Sequence, residues 1–300
     1  MDIIDCHTHC YPEELKIDPA KWAKARNEHH WANLVAPEDR TSIQGWSTAS
    51  EMLYAMDTAN VQKTVLLGWY WENETTCRWH NEFIADWVAT APDRFIGFAA
   101  IYAASKEKDV ISQCEHAKSL GLQGIGELHP GIQRFSSSCK SWQTLAEWCI
   151  EHDWPINIHA TEVVGRNLAG AVQTPLYDFV EMAQAHPELK LILAHWGGGL
   201  AFFELNPFLR STLKNVYYDT AASPLLYDMS VFRRVIEIVG IGKILFGSDY
   251  PLKLYPRSQK KPDFVRFIQS IKALDLSTKD QQAIFGLNLQ KLLPGNNTAV

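Results

Sequence analysis

Eight short apolar runs recur along the chain, and their spacing limits the folds that it can adopt. Most of them are continuously apolar rather than alternating, which is typical of strands buried on both faces of a parallel sheet. Helix-like stretches separate the runs, and after the second run their centres follow roughly every 30 residues, the length of one strand plus one helix. The runs span residues 3–7, 63–68, 95–101, 122–127, 155–159, 190–195, 216–219 and 243–249.

Eight such units in 300 residues predict an α/β fold, the (β/α)8 TIM barrel, with an open doubly wound sheet as the alternative. Residues 1–300 are treated as one domain, because no repeat, low-complexity segment or linker interrupts the pattern. Helices are predicted at residues 48–56, where Thr48-x-x-Glu51 forms a capping-box pattern, and at 141–152, 175–185 and 231–239. Residues 263–300 are predicted to form C-terminal helices, with Ser277 capping the second.

The gap between the first two runs is about twice as long as the others. A loop of this length in a compact domain is usually a lid or a binding element. Because it follows the first strand, we expect residues 13–45 to form a long β1–α1 lid insertion over the C-terminal mouth of the barrel.

Composition excludes several classes of partner. The net charge is −6 and no run of Lys or Arg is present, so nucleic acid is not an expected partner. No apolar run is long enough to cross a membrane, and no secretory signal is recognised. The six cysteines include no CxxC pair, which indicates reduced thiols and a cytoplasmic location. A homodimer is possible, although no exposed stripe indicates an interface.

Metal-binding side chains stand at the ends of five of the eight runs. In a strand, residues two apart point to the same side, so His7 and His9 can converge. The carboxyl ends of the strands carry the active sites of such barrels. Imidazole and carboxylate without thiolate suit zinc, manganese or iron, and an open coordination position would make the site catalytic. The side chains are His7, His9, Glu127, His159, His195 and Asp249.

Each of these side chains also has a purely structural interpretation. His159 could be a core histidine, and Glu127 could orient a histidine rather than bind a metal. His195 could cap the turn at residues 197–199, and Asp249 could cap the segment that follows it. Together these interpretations require several coincidences in register, so one metal site explains the pattern better.

Further residues are candidates for the pocket. Glu162 and Trp196 follow strand ends and are predicted to bind substrate, although Trp196 could equally be part of loop structure. His129 lies just past Glu127 and is a possible pocket member. Asp219 ends the seventh run and is interpreted as structural support.

Four segments of the chain resemble motifs of a known family: LAHWGGG, VYYDTAAS, ILFGSDYP and AIFGLNLQKLL. With the strand-end histidines and carboxylates, they resemble the amidohydrolase superfamily of metal-dependent barrels. The most similar branch is amidohydrolase 2, which contains aminocarboxymuconate-semialdehyde decarboxylase and related non-oxidative decarboxylases. The resemblance runs from residue 3 to residue 293 and is weakest over residues 13–45.

The resemblance implies one or two divalent metals per chain, with zinc expected first and manganese or iron as alternatives. His195 would lie beside the metal-bound water or bind a second metal. Glu127 departs from the pattern of the decarboxylases, which lack an acid ligand there, and this favours a second metal. The implied ligands of the first metal are His7, His9, His159 and Asp249.

The main functional expectation is a metal-dependent hydrolase of a small amide, lactone or ester. Asp249 would accept the proton of the attacking water, and His195 would stabilise the oxyanion or bind the second metal. The alternative is a metal-dependent decarboxylase of a small unsaturated or aromatic acid, for which Arg166, Lys253 or Arg257 could bind the carboxylate. A non-catalytic metal-binding protein is the third hypothesis.

Overall fold

The strands lie where the apolar runs predict them, and they pair in parallel. The computed structural model describes residues 2–38, 40–165 and 170–295. Strands β1 to β3 form one consecutive sheet and strands β4 to β8 form another. The strands are β1 (Ile3–His9), β2 (Val61–Leu67), β3 (Phe95–Gly97), β4 (Ile125–Leu128), β5 (Ile156–Ile158), β6 (Leu191–Leu193), β7 (Val216–Asp219) and β8 (Ile244–Leu245).

Two seams join these sheets into a closed ring. A parallel bridge between Ala99 and Ile125 connects the third strand to the fourth. A second parallel bridge, between Thr8 and Tyr250, connects the eighth to the first, and the His9 amide donates to the Tyr250 carbonyl at 2.7 Å. The chain therefore folds as the predicted (β/α)8 TIM barrel.

The helices alternate with the strands, and several loops carry additional short ones. Tight 3-10 segments lie at His195–Gly199 and Ile241–Lys243, and a π segment at Ala283–Leu287. The helices are α1 (Glu13–Ile17), α2 (Pro19–Arg26), α3 (His29–Val35), α4 (Ala49–Ala59), α5 (Glu74–Thr90), α6 (Glu107–Ser119), α7 (Pro130–Gln133), α8 (Lys140–Glu151), α9 (Leu176–Ala185), α10 (Leu200–Phe203), α11 (Pro207–Thr212), α12 (Ser223–Leu226), α13 (Val231–Val239), α14 (Val265–Lys272), α15 (Thr278–Gln282) and α16 (Asn288–Gln290).

Local capping explains several of these boundaries. The Glu51 amide donates to Thr48 Oγ1 at 3.2 Å and the Thr48 amide donates to Glu51 Oε2 at 2.9 Å, so the predicted capping box opens α4. Ser277 accepts a hydrogen bond from the Asp280 amide and opens α15. Gly240 ends α13 with a φ of 86°, which a glycine adopts readily.

The core surrounds and supports the ring. The largest cluster lies between the strands and the outer helices, and includes Phe95, Trp142 and Phe179, all buried. A second cluster joins residues of the strands, such as Val65 and Leu245, to leucines of the C-terminal segment. No described helix has the length and apolar character that a membrane crossing requires.

Residues 13–45, expected as a lid, contain α1 to α3 followed by coil, as far as they are described. Their apolar side chains pack on the segment that follows β2 rather than on the strands. That the segment acts as a lid stays a prediction. The cluster it forms, here the mouth aromatic cluster, consists of Tyr11, Trp22, Trp31, Trp69, Tyr70 and Trp71.

Candidate metal centre

The six side chains predicted from the strand ends lie at one end of the barrel. His7 and His9 end β1 and Glu127 lies within β4, while the other three follow β5, β6 and β8. Five of the six are buried, and His159 is partly exposed. Parallel strands present their carboxyl ends at the same face, which is why residues so far apart in sequence meet here.

The tightest group is formed by His7, His9 and Asp249. The Nε2 atoms of the two histidines are 3.2 Å apart, and Asp249 Oδ1 lies 3.8 Å from His7 Nε2 and 3.6 Å from His9 Nε2. Two nitrogen ligands of a tetrahedral zinc ion at its usual bond lengths lie about 3.3 Å apart. The spacing of these three side chains therefore fits one divalent ion.

A second group shares His7 and adds Glu127 and His195. Glu127 Oε2 lies 3.9 Å from His7 Nε2, and Glu127 Oε1 lies 3.7 Å from His195 Nε2. Glu127 Oε2 is also 3.7 Å from His9 Nε2. Glu127 thus belongs to the second group and also lies close to the two histidines of the first.

His159 is predicted to be a ligand beside His7 and His9, but the structure does not bring it into either group, so this role stays a prediction. Its Nδ1 donates to Glu127 Oε1 at 2.9 Å, and its Nε2 lies 3.1 Å from Thr161 Oγ1. Both ring nitrogens therefore lie at hydrogen-bonding distance from oxygen atoms. The arrangement makes His159 a partner of Glu127.

Asp219 organises the site without belonging to either group. Its Oδ2 accepts hydrogen bonds from His7 Nδ1 at 2.9 Å and from Asn157 Nδ2 at 3.2 Å. Its Oδ1 accepts from the backbone amides of His195 at 2.9 Å and Ala221 at 3.0 Å. The bond to His7 Nδ1 leaves the Nε2 lone pair directed at the candidate ion, as carboxylate partners of metal-binding histidines do. The structural support expected of Asp219 therefore consists of holding the His7 ring and the His195 backbone in place.

Asp5 is a functional residue that the sequence analysis missed. Its Oδ1 accepts from the backbone amides of His7 at 3.0 Å and Ser248 at 3.1 Å, so it ties the ends of β1 and β8 together. Burial raises the pKa of Asp5 to about 7. The signal was its position two residues before His7, on the same side of the strand.

The electrostatics of the site favour a cation. Asp5, Glu127, Asp219 and Asp249 are all buried, and among the described residues no Lys or Arg is buried beside them. Burial raises the pKa of Asp249 to about 6, against the opposing effect of His7. Buried carboxylates without fixed cations require protons or metal to balance their charge. The donor set of this centre therefore fits a divalent ion, both in chemistry and in spacing.

The histidines respond to these carboxylates in opposite ways. Burial lowers the pKa of His7, but Asp219 and Glu127 outweigh it and raise that pKa to about 9. Burial and the neighbouring His7 lower the pKa of His9 to about 3, so His9 is neutral, the form that binds metal. For His195, burial lowers the pKa, but Glu127 and Asp249 raise it to about 10.

Unusual backbone conformations aim two of the side chains. His195 and Asp249 have φ angles of 56° and 66°, in the left-handed region that non-glycine residues rarely adopt. Such conformations concentrate at functional sites, where the surrounding structure holds them in place. His195 Nδ1 donates to the Ala221 carbonyl at 3.0 Å rather than capping the turn that follows, and its Nε2 is left facing Glu127.

The two predicted substrate-binding residues differ. Trp196 is fully buried, its indole N–H donates to Ser223 Oγ at 2.8 Å, and its ring packs edge-on against Phe232. The structure thus places the Trp196 side chain in the core, because the left-handed turn directs it there, and its substrate contact stays a prediction. Glu162 lies after β5 with a buried Oε1 that has no hydrogen-bond partner among the described residues. Its substrate contact stays a prediction.

Of the three predicted carboxylate-binding cations, the two that the structure describes, Lys253 and Arg257, are not part of the metal centre. Arg166 lies outside the described residues. Arg257 is exposed, and Lys253 lines a groove beside β8. Within the part of the chain that the structure describes, no Lys or Arg forms an ion pair with Glu127 or Asp249.

Aromatic rings cover one side of the centre. The Trp69 ring lies 5.4 Å from that of His9, and the Tyr70 ring lies 5.4 Å from that of His159. The Tyr70 ring also packs against His129, which stacks on His159 at 4.9 Å. His129 is thus buried beside His159 and Tyr70, and its place in the pocket stays a prediction. The three aromatic residues Trp69, Tyr70 and Trp71, which follow β2 and Gly68, could have indicated from the sequence that aromatic rings cover the centre.

Comparison with known proteins gives a family and a fold. A family model described as amidohydrolase matches residues 4–295. A curated protein from Dictyostelium discoideum, 2-amino-3-carboxymuconate-6-semialdehyde decarboxylase, is 25% identical over 231 residues, which are 67% of this chain and 62% of that protein. The chain thus matches less than two thirds of this relative's length.

Two similar solved structures are those of decarboxylases. The 5-carboxyvanillate decarboxylase of Novosphingobium aromaticivorans, complexed with manganese and 4-hydroxy-3-methoxy-5-nitrobenzoic acid, has a TM-score of 0.76 at 15% identity, covering 97% of this chain and 95% of that chain. The 2,6-dihydroxybenzoate decarboxylase from Rhizobium has a TM-score of 0.68 at 16% identity, with coverage of 97% and 98%. At these identities the likeness is one of fold.

Proposed function

Since the chain belongs to the amidohydrolase family, we propose that it is a metal-dependent decarboxylase of a small aromatic or unsaturated carboxylic acid. This was the alternative expected from the sequence, and the decarboxylases among the similar proteins support it over the hydrolase that was expected first. The observation that carries the proposal is the position of His195 Nε2, beside Glu127 and next to the group of His7, His9 and Asp249.

In this proposal, His7, His9 and Asp249 hold a divalent ion. When bound, the ion would supply a positive charge that holds the substrate carboxylate and a neighbouring oxygen. Manganese is favoured because it is present in the compared 5-carboxyvanillate decarboxylase, and zinc and iron remain candidates. Trp69 and Tyr70 would flank a flat substrate and exclude water from it.

The chain's own residues would manage the proton. Decarboxylation breaks the bond between the ring or vinyl carbon and the carboxyl carbon, releases CO2, and leaves the electron pair on the carbon that remains. A proton must then reach that carbon. His195 Nδ1 is engaged by the Ala221 carbonyl, so Nε2 is the atom that would deliver it. Glu127 lies close to His195 and His159, and would stabilise the protonated imidazole before transfer.

Hydrolysis is a second candidate because of one observation, the position of Glu127. Its oxygens reach both His7 and His195, the arrangement that two ions would need. With two ions bound, water would attack the carbonyl carbon of a small amide, lactone or ester; Asp249 would take its proton and give it to the leaving group as the acyl bond breaks. The six cysteines are free thiols, which fits the cytoplasmic location that we also propose.

Metal content separates the two candidates. We would measure metal per chain in protein purified without a chelating tag, together with Glu127→Ala. One ion per chain in both proteins would favour the decarboxylase. Two ions falling to one in the variant would favour the hydrolase, and no ion after reconstitution would contradict both.

Activity is then measured on two matched panels. The manganese-loaded protein is incubated with 2,6-dihydroxybenzoate and 5-carboxyvanillate, with CO2 as the readout, and with lactones and amides, with acid release as the readout. His195→Asn removes the Nε2 proton donor and should lower kcat on the active panel by 100-fold or more, about the contribution of one acid–base group. Turnover confined to lactones or amides would overturn the decarboxylase proposal.

A further inference from the structure

A groove beside the metal centre is lined by lysines. It has a volume of about 760 Å³ and runs between α4 and the segment that follows β8. Small-molecule sites in proteins usually have volumes of this order. Its cationic lining, here the lysine groove, consists of Lys16, Lys253, Lys260 and Lys261.

The charge of the groove opposes the charge of the chain. Four lysines against the two carboxylates of Glu51 and Asp263 leave its lining at +2, on a chain whose net charge is −6. Across the described ranges, none of the four lysines has a carboxylate within ion-pair distance. Glu51 is engaged in the capping box of α4. The groove is therefore a local attractor for anions, with its lysines free to meet a ligand.

A small cavity lies between the groove and the candidate metal group, because it shares lining residues with both. This cavity of about 20 Å³, here the neck, is lined by His9, Tyr11 and Pro251 and by the charged residues Glu13, Lys16 and Glu51. The neck and the groove together carry four lysines against three carboxylates, a net charge of +1. The neck and the groove share Lys16, Trp46, Ser47 and Glu51 as lining residues, so the two spaces lie along the same wall. The neck holds about one water molecule and ends on His9, a member of the candidate metal group.

We propose that the lysine groove and the neck form the access route by which a carboxylate substrate reaches the metal centre. This inference rests on the proposed function, because the route serves an anionic substrate. The lysines collect the anion at the surface, and movement of Trp46 and Lys16 widens the neck for its passage. A groove of positive charge raises the association rate of an anion by 10-fold or more and loses that advantage as salt is added.

The test compares two triple variants of equal charge change. Lys253→Gln, Lys260→Gln and Lys261→Gln neutralise the groove. Lys108→Gln, Lys118→Gln and Lys140→Gln, on the exposed surface of α6 and α8, are the control. Association with the manganese-loaded protein is followed by stopped-flow tryptophan fluorescence at low and high salt. The two ligands are 2,6-dihydroxybenzoate and resorcinol, which differ by one carboxylate.

The expected result is a fall of about 3- to 10-fold in the association rate of 2,6-dihydroxybenzoate for the groove variant at low salt. Resorcinol should be unaffected, as should both ligands with the control variant. Equal association rates in the two triple variants would overturn the route.

A second readout does not depend on any substrate. Trp46 lines both spaces, so its fluorescence, obtained by difference with Trp46→Phe, reports anions that enter. Iodide quenching relative to the neutral quencher acrylamide should fall in the groove variant only. If it does so while 2,6-dihydroxybenzoate does not bind, the route stands and the proposed substrate class fails. Iodide quenching that is the same in wild type and both variants would overturn the route, whatever the enzyme's activity.

Discussion

At the scale of single residues, Asp219 has the widest influence on the site, although it belongs to neither candidate metal group. Asp219 receives hydrogen bonds from a histidine ring, an amide side chain and two backbone amides. Burial raises the pKa of Asp219, but His7 and His195 outweigh it and lower that pKa, so the carboxylate stays ionised. Its charge and geometry together fix the tautomer of His7 and the position of His195.

Replacing Asp219 with asparagine should weaken metal binding without removing a ligand. The amide is the same size but has no charge, so His7 Nδ1 is held less firmly and its Nε2 becomes a poorer ligand. Loss of such a partner typically costs 10- to 100-fold in metal affinity. A competition titration against a chromophoric chelator measures it. Asp275→Asn, at an exposed position, is the control, and unchanged affinity in Asp219→Asn would refute the assignment.

Trp196→Phe tests whether this residue belongs to the core or to the pocket. The variant loses the hydrogen bond to Ser223 and part of the packing against Phe232, so the free energy of unfolding should fall by about 1–3 kcal/mol. Urea denaturation measures that loss, and the KM of the active substrate should stay within twofold. A raised KM with an unchanged free energy of unfolding would show that Trp196 binds substrate rather than stabilising the core.

At the scale of elements, the sequence predicts the strands and the helices α4, α8, α9 and α13 because their signals are local, whereas it predicts no bounds for α5 and α6, the two longest helices. The capping box at Thr48 and the glycine at 240 lie within the elements they bound. The helices α1 to α3 were not foreseen, because pieces of five to eight residues are too short for a helical period to be recognised. Trp22 and Trp31 stabilise them through packing on distant residues.

The sequence predicts which strand-end side chains converge, but not how each of them is oriented. The strand ends identify His7, His9 and Asp249, since parallel strands must present them at one face. The orientation of His159 depends on Thr161 and Glu127, and that of Trp196 on a left-handed turn. Contacts between side chains of different strands decide such orientations, and the pattern of a single strand does not contain them.

The packing of α2 and α3 on the barrel should depend on pH through Glu28. Its Oε2 accepts from the Glu72 amide at 2.7 Å, and burial raises its pKa to about 7. The folded state therefore binds a proton that the unfolded state has lost. This contribution is complete below about pH 4.5 and is lost as the pH rises through 7. The variant Glu28→Gln cannot titrate at this position and so lacks this pH-dependent contribution to stability.

The expected result is that the stability of the wild type relative to Glu28→Gln falls by about 1–3 kcal/mol between pH 4.5 and pH 8. Urea denaturation at a series of pH values measures it, with Glu107→Gln on the exposed start of α6 as the control. Parallel stability curves for wild type and Glu28→Gln would show that the pKa of Glu28 is ordinary.

At the scale of the whole molecule, the centre spans the seam that closes the barrel. His7 and His9 come from the first strand and Asp249 from the end of the eighth, and the Asp249 amide donates to the His7 carbonyl at 2.9 Å. An ion bound by all three would link the two sides of this seam. Metal binding and closure of the barrel are then coupled, as in other proteins whose ligands come from separate segments.

Removing the metal should therefore lower the melting temperature. At a free manganese concentration 100 times its Kd, binding adds about 2.7 kcal/mol to the stability of the folded state. For a chain of this size that corresponds to a shift of the melting temperature of roughly 4 °C. Calorimetry with and without EDTA measures it, with the double variant His7→Ala and His9→Ala as the control. An equal shift of the melting temperature in that variant would show that the ion binds at another site.

The closing seam also sets the order in which the site is made. About 240 residues separate His9 from Asp249, so a ribosome adding roughly 5–20 residues per second completes the ligand set some 12 to 48 s after the histidine pair. Throughout that interval the emerging chain holds two histidines without their carboxylate, and the first three strands without the partner that closes them. The metal centre is consequently among the last features of the newborn protein to form, after nearly all of the barrel has been synthesised.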